Sequence, residues 1–312
     1  MKTLPLAILL MGPTASGKTA LAVELVRRFS CDIISVDSAM IYRSMDIGTA
    51  KPDATTLRIA PHRLIDILDP VESYSAGRFR EDALAHMAEI TATGRIPLLV
   101  GGTMLYFRAL QHGLADLPVA DAHLRAELDA RAAKQGWEAL HTELARVDPA
   151  AAARIHVNDP QRIQRALEVF YLTGRSLSEL HAAEAVQPAL YRFIKLAVAP
   201  TSRALLHARI ARRFQDMMAA GFLQEVAHLR GRGDLTRNHS SMRSVGYRQL
   251  WEHLEGDCDL DVAVQRGIVT TRRFAKRQLT WLRAETQVHW FVSDAPRLAQ
   301  DVQALVHEVR AR

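Results

Sequence analysis

The sequence predicts an α/β protein: a parallel sheet flanked by helices, with an all-helical domain inserted into it. Three observations carry this. Apolar runs of strand length alternate with stretches of helical periodicity in the first third of the chain. One run, Leu6-Ala7-Ile8-Leu9-Leu10-Met11, leads through Gly12-Pro13-Thr14-Ala15-Ser16-Gly17-Lys18-Thr19 into an apolar helical stretch. From about Pro118 to Tyr191 the texture changes to Ala-, Arg- and Glu-rich sequence without a strand-like run. Strand and helix in alternation favour a parallel sheet, because parallel neighbours need a long crossover.

The loop after the first strand has the spacing G-x-x-x-x-G-K-[ST] of a phosphate-binding loop, so the expected sheet is P-loop NTPase-like. Its glycines let backbone N–H groups turn inward around an anion, and the following helix adds its N-terminal partial charge. Lys18 would supply a full charge, and the Thr19 hydroxyl would face a bound Mg²⁺. ATP, GTP and a simple diphosphate ester all fit such a loop. Further on, Cys31 through Val36 reads as a second buried strand ending at Asp37-Ser38, and Leu64 through Leu68 as a short one closed by Asp69-Pro70. Ser75 to Thr93 has helical spacing, with Phe79, Ala83, Met87 and Ile90 on one stripe and Gly94 to stop it. Ile96 to Val100 is another buried strand, ending at Gly101-Gly102-Thr103. Ligands of such sheets bind at the carboxyl ends of strands, which makes the loop at Gly12, Asp37 and Thr103 candidates for one cleft.

In the helical region, Asp159 caps a helix with Pro160 at its first position, and Gly174 ends it. Phe193 to Pro200 reads as a strand returning to the sheet, Val288 to Val292 as the last strand, with long helices between. The expected organisation is a catalytic core over 1–118, a helical insertion over 119–192 and the remainder of the core with basic helices over 193–312.

The chain of 312 residues is long enough for a large core and two domains, and its 48% apolar content suits a globular protein. Cys31 and Cys258 stand far apart with no C-x-x-C or Cys/His cluster, which disfavours a disulfide scaffold or zinc site and suits a reducing cytoplasm. The N-terminal apolar run is too short for a membrane span and reads as a core strand, not a signal peptide. Between Arg203 and Arg283 there are 15 basic and 8 acidic residues, whereas the rest of the chain has 25 and 26. A basic C-terminal third points to a polyanion. The absence of a basic amphipathic helix with bulky apolar anchors makes that nucleic acid rather than a membrane.

Asp37 follows an apolar strand, where a carboxylate either holds Mg²⁺ or acts as a general base, and Asp66 competes for the metal role. Both readings stay open on the residues alone. Thr103 either caps a helix or hydrogen-bonds a reacting oxygen. None of the 13 histidines is paired at metal-ligand spacing, and Asp257-x-Asp259-x-Asp261 reads as solvated caps. The segment Ile268 to Arg283 is a second strong signal. Ile268, Ala275, Leu279 and Leu282 share one side of a helical wheel, and Arg273, Lys276, Arg277, Thr280 and Arg283 share another. Four uncompensated cations on one face repel one another unless a polyanion lies across them. Arg243, Tyr247 and Arg248, with Gln161, Arg162 and Arg165, look like further contacts. An exposed Tyr247 or Trp281 could stack on unpaired bases.

Taken together the residues resemble the bacterial tRNA dimethylallyltransferases, which prenylate the adenosine 3′ to the anticodon. The matches are G-P-T-A-S-G-K-T (12–19), S-V-D-S-A-M-I-Y-R (35–43), D-I-G-T-A-K-P (46–52), P-H-R-L-I-D (61–66), G-G-T-M-L-Y-F (101–107), N-D-P-Q-R-I-Q-R-A-L-E-V (158–169), S-V-G-Y-R-Q (244–249) and A-K-R-Q-L-T-W-L-R (275–283). The resemblance implies that Gly12, Pro13, Thr14, Ala15, Ser16, Gly17, Lys18 and Thr19 hold the diphosphate of dimethylallyl diphosphate, usually with Mg²⁺, in place of ATP. It implies Asp37 as the base for the adenine N6, Thr103 at the bridging oxygen of the leaving diphosphate, and Arg125 and Arg213 as further diphosphate contacts. By the same resemblance the tRNA anticodon stem-loop meets Asp37, Ser38, Ala39 and Met40; Gln161, Arg162, Ile163, Gln164 and Arg165; Arg243, Ser244, Val245, Gly246, Tyr247 and Arg248; and Lys276, Arg277, Gln278, Leu279, Thr280, Trp281, Leu282 and Arg283. Met40 stands where many relatives carry Gln, and the C-terminal zinc finger of eukaryotic relatives has no counterpart in the two cysteines.

The expected protein is therefore a cytoplasmic, monomeric prenyltransferase of tRNA. Two other classes share its main loop: a small-molecule or nucleoside kinase using ATP, and a non-catalytic RNA-binding protein that senses nucleotide.

Overall fold

Leu6–Met11 forms strand β1, and its side chains alternate between two cores. Ala7, Leu9 and Met11 enter one apolar cluster, Ile8 and Leu10 the other. An unbroken apolar run is what a strand buried on both faces requires. The computed structural model describes residues 4–115, 117–183 and 189–311. Residues 1–3 and Asp116 of the expected first core segment, residues 184–188 of the expected insertion, and Arg312 lie outside the described residues.

Strands β2 (Cys31–Val36), β3 (His62–Arg63), β4 (Ile96–Gly101), β5 (Arg192–Ala199) and β6 (Val288–Val292) join β1 in one sheet of order β3-β2-β4-β1-β5-β6. All its pairings are parallel, with Leu9 of β1 opposite Leu99 on one side and Lys195 on the other. Helix α1 (Lys18–Arg28) packs Leu21, Ala22 and Leu25 on the Ile8 face. Helix α2 (Ala54–Ile59) lies outside the core and is capped by Asp53. Helix α3 (Ala76–Ala92) lays Phe79, Ala83, Met87 and Ile90 on the Leu9 face, with Ser75 accepting from the Arg78 N–H as its cap. Helix α4 (Met104–His112) adds Phe107 and Leu110 to the same face. One expected strand is corrected. Pairing stops at Arg63, where Leu64 and Asp66 take left-handed backbone (φ 61° and 56°), and the stretch instead bonds to the segment after β2, with a bridge from Leu68 to Tyr42.

The chain divides into two compact units, His112–Pro188 and a unit built from Met1–Gln111 with Ala189–Arg312. The former is helical: α5 (Ala122–Val147), broken at Gly136, then α6 (Pro149–Arg154), α7 (Pro160–Thr173) and α8 (Leu177–Ala182). Leu128, Leu140, Leu144, Ile163 and Leu167 form its core. Asp159 caps α7 by accepting from the Arg162 N–H, and Gly174 ends it at φ 68°.

The larger unit is completed by α9 (Arg203–Ala219), α10 (Phe222–Gly231), α11 (Tyr247–Leu254), α12 (Leu260–Arg283) and α13 (Leu298–Ala311). Val302 and Val306 of α13 cover the Ile8 face beside α1. Helices α9 to α12 build a third cluster around Phe214, Phe222, Tyr247, Trp251 and Ile268, joined by Ile41, Tyr42 and Met45 from the segment after β2. That cluster is the floor on which the candidate site rests.

Candidate functional site

The phosphate-binding loop leaves β1 at Met11, and α1 begins at Lys18 with Gly17 as a left-handed cap (φ 84°). Gly12 is required by close approach, since a Cβ there would lie 2.3 Å from the Val198 carbonyl oxygen. Ala15 is also left-handed (φ 60°), an uncommon conformation for a residue with a side chain and one concentrated where function demands it. Left-handed residues on both sides of Ser16 give the alternation by which successive N–H groups form an anion-binding concavity. The Ser16 hydroxyl is buried without a hydrogen-bond partner, a donor held ready inside the loop.

Lys18 donates from Nζ to the carbonyls of Gly12 (2.9 Å) and Pro13 (2.7 Å). Burial, reinforced by the nearby Arg213 and opposed by Asp37, pushes its pKa down to about 7. The ammonium therefore rests on the loop's own oxygens, close to neutrality, where an arriving phosphate would draw both the side chain and a proton.

Asp37 and Thr103 meet at the ends of β2 and β4. The Asp37 Oδ1 accepts from the N–H of Ala39 (2.8 Å) and of Met40 (3.3 Å), which fixes the carboxylate and leaves its second oxygen without a hydrogen bond among the described residues. The Thr103 Oγ1 accepts from the Ser38 N–H at 3.2 Å, so its own proton is available to another acceptor. Gly101 must be glycine here, because a Cβ would sit 2.0 Å from the Val36 carbonyl oxygen.

Gln278 of α12 completes the frame. Its Oε1 accepts from the Thr14 N–H and its Nε2 donates to the Gly102 carbonyl, both at 2.9 Å. It is 5% exposed, so its side chain serves this frame rather than the open surface expected of a tRNA contact. Ile163, Tyr247 and Leu282, each 0% exposed, and the buried Gly246 likewise turn inward rather than to the open surface. Tyr247 offers no stacking face and instead donates its hydroxyl to Glu225 at 2.5 Å.

These parts surround a cavity of about 410 Å³ with Thr14, Asp37, Thr103 and Arg213 on its wall. Ile210, Phe214, Met217 and Phe274 give it an apolar side. Arg213, Arg243 and Arg277 line it, and none of the three has a side-chain hydrogen bond or ion pair among the described residues. Burial lowers the pKa of Arg213, and Asp37 counters it. An apolar side beside unpaired cations suits a ligand with a hydrocarbon part and an anionic part.

The expected single cationic face of α12 is divided. Arg277 enters this cavity, while Lys276, Thr280 and Arg283 line a second one, and Arg273 lies beside Asp261 and Arg266 on a shallow third surface. Trp281 is 39% exposed with the Arg108 guanidinium 6.0 Å from its ring centre. Leu279 is half-buried, and Arg248 pairs with Glu252 at 3.2 Å. In the helical unit, Gln161 and Arg162 are exposed, and Gln164 donates to Asp129. Arg125 is there half of an ion pair rather than an open cation: it reaches the fully buried Glu168 from Nε (2.8 Å) and Nη2 (3.0 Å), with Arg165 on the same carboxylate.

Sequence reasoning did not find Gln278 as a clamp or Glu225 at all. Glu225 accepts from the N–H groups of Asp46, Ile47 and Gly48 as well as from Tyr247, and so holds the loop whose Gly48 and Thr49 line the cavity. Both had the same signal, a polar residue on an apolar helical stripe: Gln278 between Ala275 and Leu282, Glu225 between Phe222 and Leu229. Among the described residues no group of three or more His, Cys, Asp or Glu is placed to hold a metal, the Asp257-Asp259-Asp261 alternation included. Asp259 stands at the start of α12 without a side-chain cap bond.

Comparison with known proteins bears on this geometry. The family model described as IPP transferase matches residues 40–285, and one described as isopentenyl transferase matches residues 6–65. A tRNA dimethylallyltransferase of Methylococcus capsulatus is 56% identical over 309 residues, covering 99% of this chain and 98% of its own. The crystal structure of the full-length tRNA isopentenylpyrophosphate transferase of Bacillus halodurans aligns with a TM-score of 0.72 at 37% identity, over 97% of this chain and 96% of that one. A eukaryotic dimethylallyltransferase captured acting on tRNA shares the fold, with a TM-score of 0.83 at 23% identity over 98% of this chain and 80% of that one.

Proposed function

The chain belongs to the IPP transferase family, and from that premise we propose how its cleft carries out the transfer of a dimethylallyl group to tRNA. The donor is dimethylallyl diphosphate, and the acceptor is N6 of the adenosine 3′ to the anticodon. A bond forms between N6 and the allylic carbon, the bond from that carbon to the diphosphate oxygen breaks, and the N6 proton goes to Asp37. The observation that carries the reading is the placing of Thr103, bound to the Ser38 N–H beside Asp37 and facing the same cavity as the phosphate loop.

An adenine amino group is a weak nucleophile, since its lone pair is delocalised into the ring. It needs a base close to N6 and an allylic carbon already losing its leaving group. The free oxygen of Asp37 serves as the base. The Thr103 hydroxyl donates to the bridging oxygen as negative charge grows there. Lys18, released from the Gly12 and Pro13 carbonyls, joins Arg213 and the loop N–H groups in holding the diphosphate. Fixed donors around developing charge are the largest single source of rate in such sites. Ile210, Phe214 and Phe274 shelter the hydrocarbon. A stacked adenine cannot reach this depth, so the nucleotide enters flipped out of the anticodon loop, past Arg243 and Arg277.

Mg²⁺ fits the oxygen donors present. The exposed Thr19 hydroxyl would hold it in the manner of a cation that takes its remaining oxygens from phosphate and water, and when bound it would neutralise the departing diphosphate. No helix among the described residues is long and apolar enough to cross a membrane, and a tRNA substrate with two free cysteines suits the cytoplasm.

Incubation of the protein with tRNA and dimethylallyl diphosphate, followed by mass spectrometry of the nucleosides, tests the reading. A five-carbon prenyl gain on adenosine is expected. Turnover of ATP without tRNA and no modified base would replace it with a kinase.

A further inference from the structure

A second cavity, of about 620 Å³, opens on the other flank of α12, between α9 and the outer end of β5 and β6. Arg203, Arg272, Lys276 and Arg283 line it, and no carboxylate does. Among the described residues Lys276 and Arg283 have no side-chain partner, and Arg203 reaches only the ring of His207 at 3.4 Å. The Nε of Arg272 is buried without a hydrogen-bond partner. Asp294, bonded to Thr201 of the lining, is occupied by that residue's backbone N–H and hydroxyl. Burial, with smaller contributions from Arg272 and Arg203, lowers the pKa of His207. At one edge stands Trp290 of the edge strand β6, 46% exposed.

Four like charges gathered without counter-charge disfavour the free protein, and an orphaned guanidinium N–H adds to that cost. Both are relieved by a phosphate. An exposed indole beside it offers a face for an unpaired base, and the volume is that of a nucleotide-sized pocket. The first cavity is separated from it by the thickness of α12, with Arg277 on one side and Lys276 on the other.

We infer that this cavity is a second nucleotide site, which takes the backbone phosphate of an unpaired tRNA residue, other than the reacting adenosine, between Arg272 and its cationic neighbours and stacks that residue's base on Trp290. The inference rests on the reading of the chain as an enzyme of tRNA. Its role is to hold the distorted anticodon loop while the adenosine occupies the first cavity, so that the cost of flipping is offset by contacts formed elsewhere on the same strand.

The test measures affinity for an anticodon stem-loop RNA at several salt concentrations, for the native protein, Arg272→Gln, Trp290→Leu and Trp290→Phe. Arg272→Gln is expected to reduce the salt slope by roughly one unit. Trp290→Leu should weaken binding about 5- to 150-fold with the slope unchanged, the worth of one stacked base, and Trp290→Phe should keep most of the affinity. The KM for dimethylallyl diphosphate should be the same in all four proteins. Unchanged RNA affinity and slope in Arg272→Gln and Trp290→Leu would overturn the inference. So would inorganic diphosphate, added alone, binding to the native protein and not to Arg272→Gln at millimolar concentration while RNA affinity is equal in both, since the pocket would then serve a free anion. Loss of prenyl transfer by the native protein would instead remove the reading of function, and the two failures are separate readouts.

Discussion

Gln278 joins Thr14 to the end of the neighbouring strand: one amide group accepts from the Thr14 N–H and donates to the Gly102 carbonyl, each at 2.9 Å. Because the Gln278 side chain is buried, α12 sets the distance between the phosphate loop and Thr103. The helix whose cations line two cavities thus also shapes the phosphate loop on its inner side.

Gln278→Met keeps the length of the side chain and leaves the Thr14 N–H and Gly102 carbonyl without partners. Unmet buried groups cost about 1–3 kcal/mol each. A fall in the denaturation midpoint is expected, together with a higher KM for dimethylallyl diphosphate and little change in RNA affinity. Equal losses in both substrates would mean that the clamp supports the whole cleft rather than the loop.

Lys18 links stability to pH. Its pKa is about 7 in the folded protein against 10.5 for an ordinary lysine, so the unfolded chain binds more protons between those values. This group therefore weakens the fold most fully below the lower value, and the penalty fades as pH rises to the upper one. Lys18→Met should raise the Tm of the ligand-free protein near pH 7, lose that advantage near pH 10, and abolish transfer. A Tm difference independent of pH would show the lysine to be charged throughout. Diphosphate binding near pH 8 should take up a proton, measurable by calorimetry in buffers of different ionisation enthalpy.

For Asp37 the decisive change is Asp37→Asn, which retains size and loses the proton acceptor. Single-turnover transfer should fall by about 10²–10⁴-fold, the usual worth of a positioned base, with both substrates still bound. Restoration by excess Mg²⁺ would reassign the residue to the metal.

Glu225 positions the cavity wall through Gly48 and Tyr247 without touching the substrate. In Glu225→Gln an amide meets several N–H donors with only one oxygen, and a loss of about 1–3 kcal/mol is expected in urea unfolding. Tyr247→Phe removes one bond and should cost roughly 1 kcal/mol. A smaller effect for Glu225→Gln than for Tyr247→Phe would show that the loop at 46–48 is held by its other contacts.

Strands β1, β2, β4, β5 and β6 and helices α3 and α7 were legible in the sequence because their signals are local: unbroken apolar runs, a helical stripe ending at Gly94, and the cap and stop at Asp159 and Gly174. The phosphate loop was legible for the same reason, since eight adjacent residues contain its geometry. Asp37 and Thr103 could be listed as strand ends, but their roles came from resemblance and not from their own spacing. Leu64–Leu68 misled because Leu64 and Asp66 take left-handed backbone, which β-forming side chains do not announce.

What the sequence by itself determined is the succession of strands and helices along the chain, the anion loop and the excess of positive charge in the last third. Only the tertiary structure decided which way each charge and each polar group faces. Lys276 and Arg277 are neighbours in the chain, yet α12 turns by about 100° per residue, and that rotation sends them into different cavities. Gln278, one step further, turns inward to meet residues far away in the chain, at Thr14 and Gly102. A helical stripe can be read from spacing, but what covers it is chosen by packing across the whole fold.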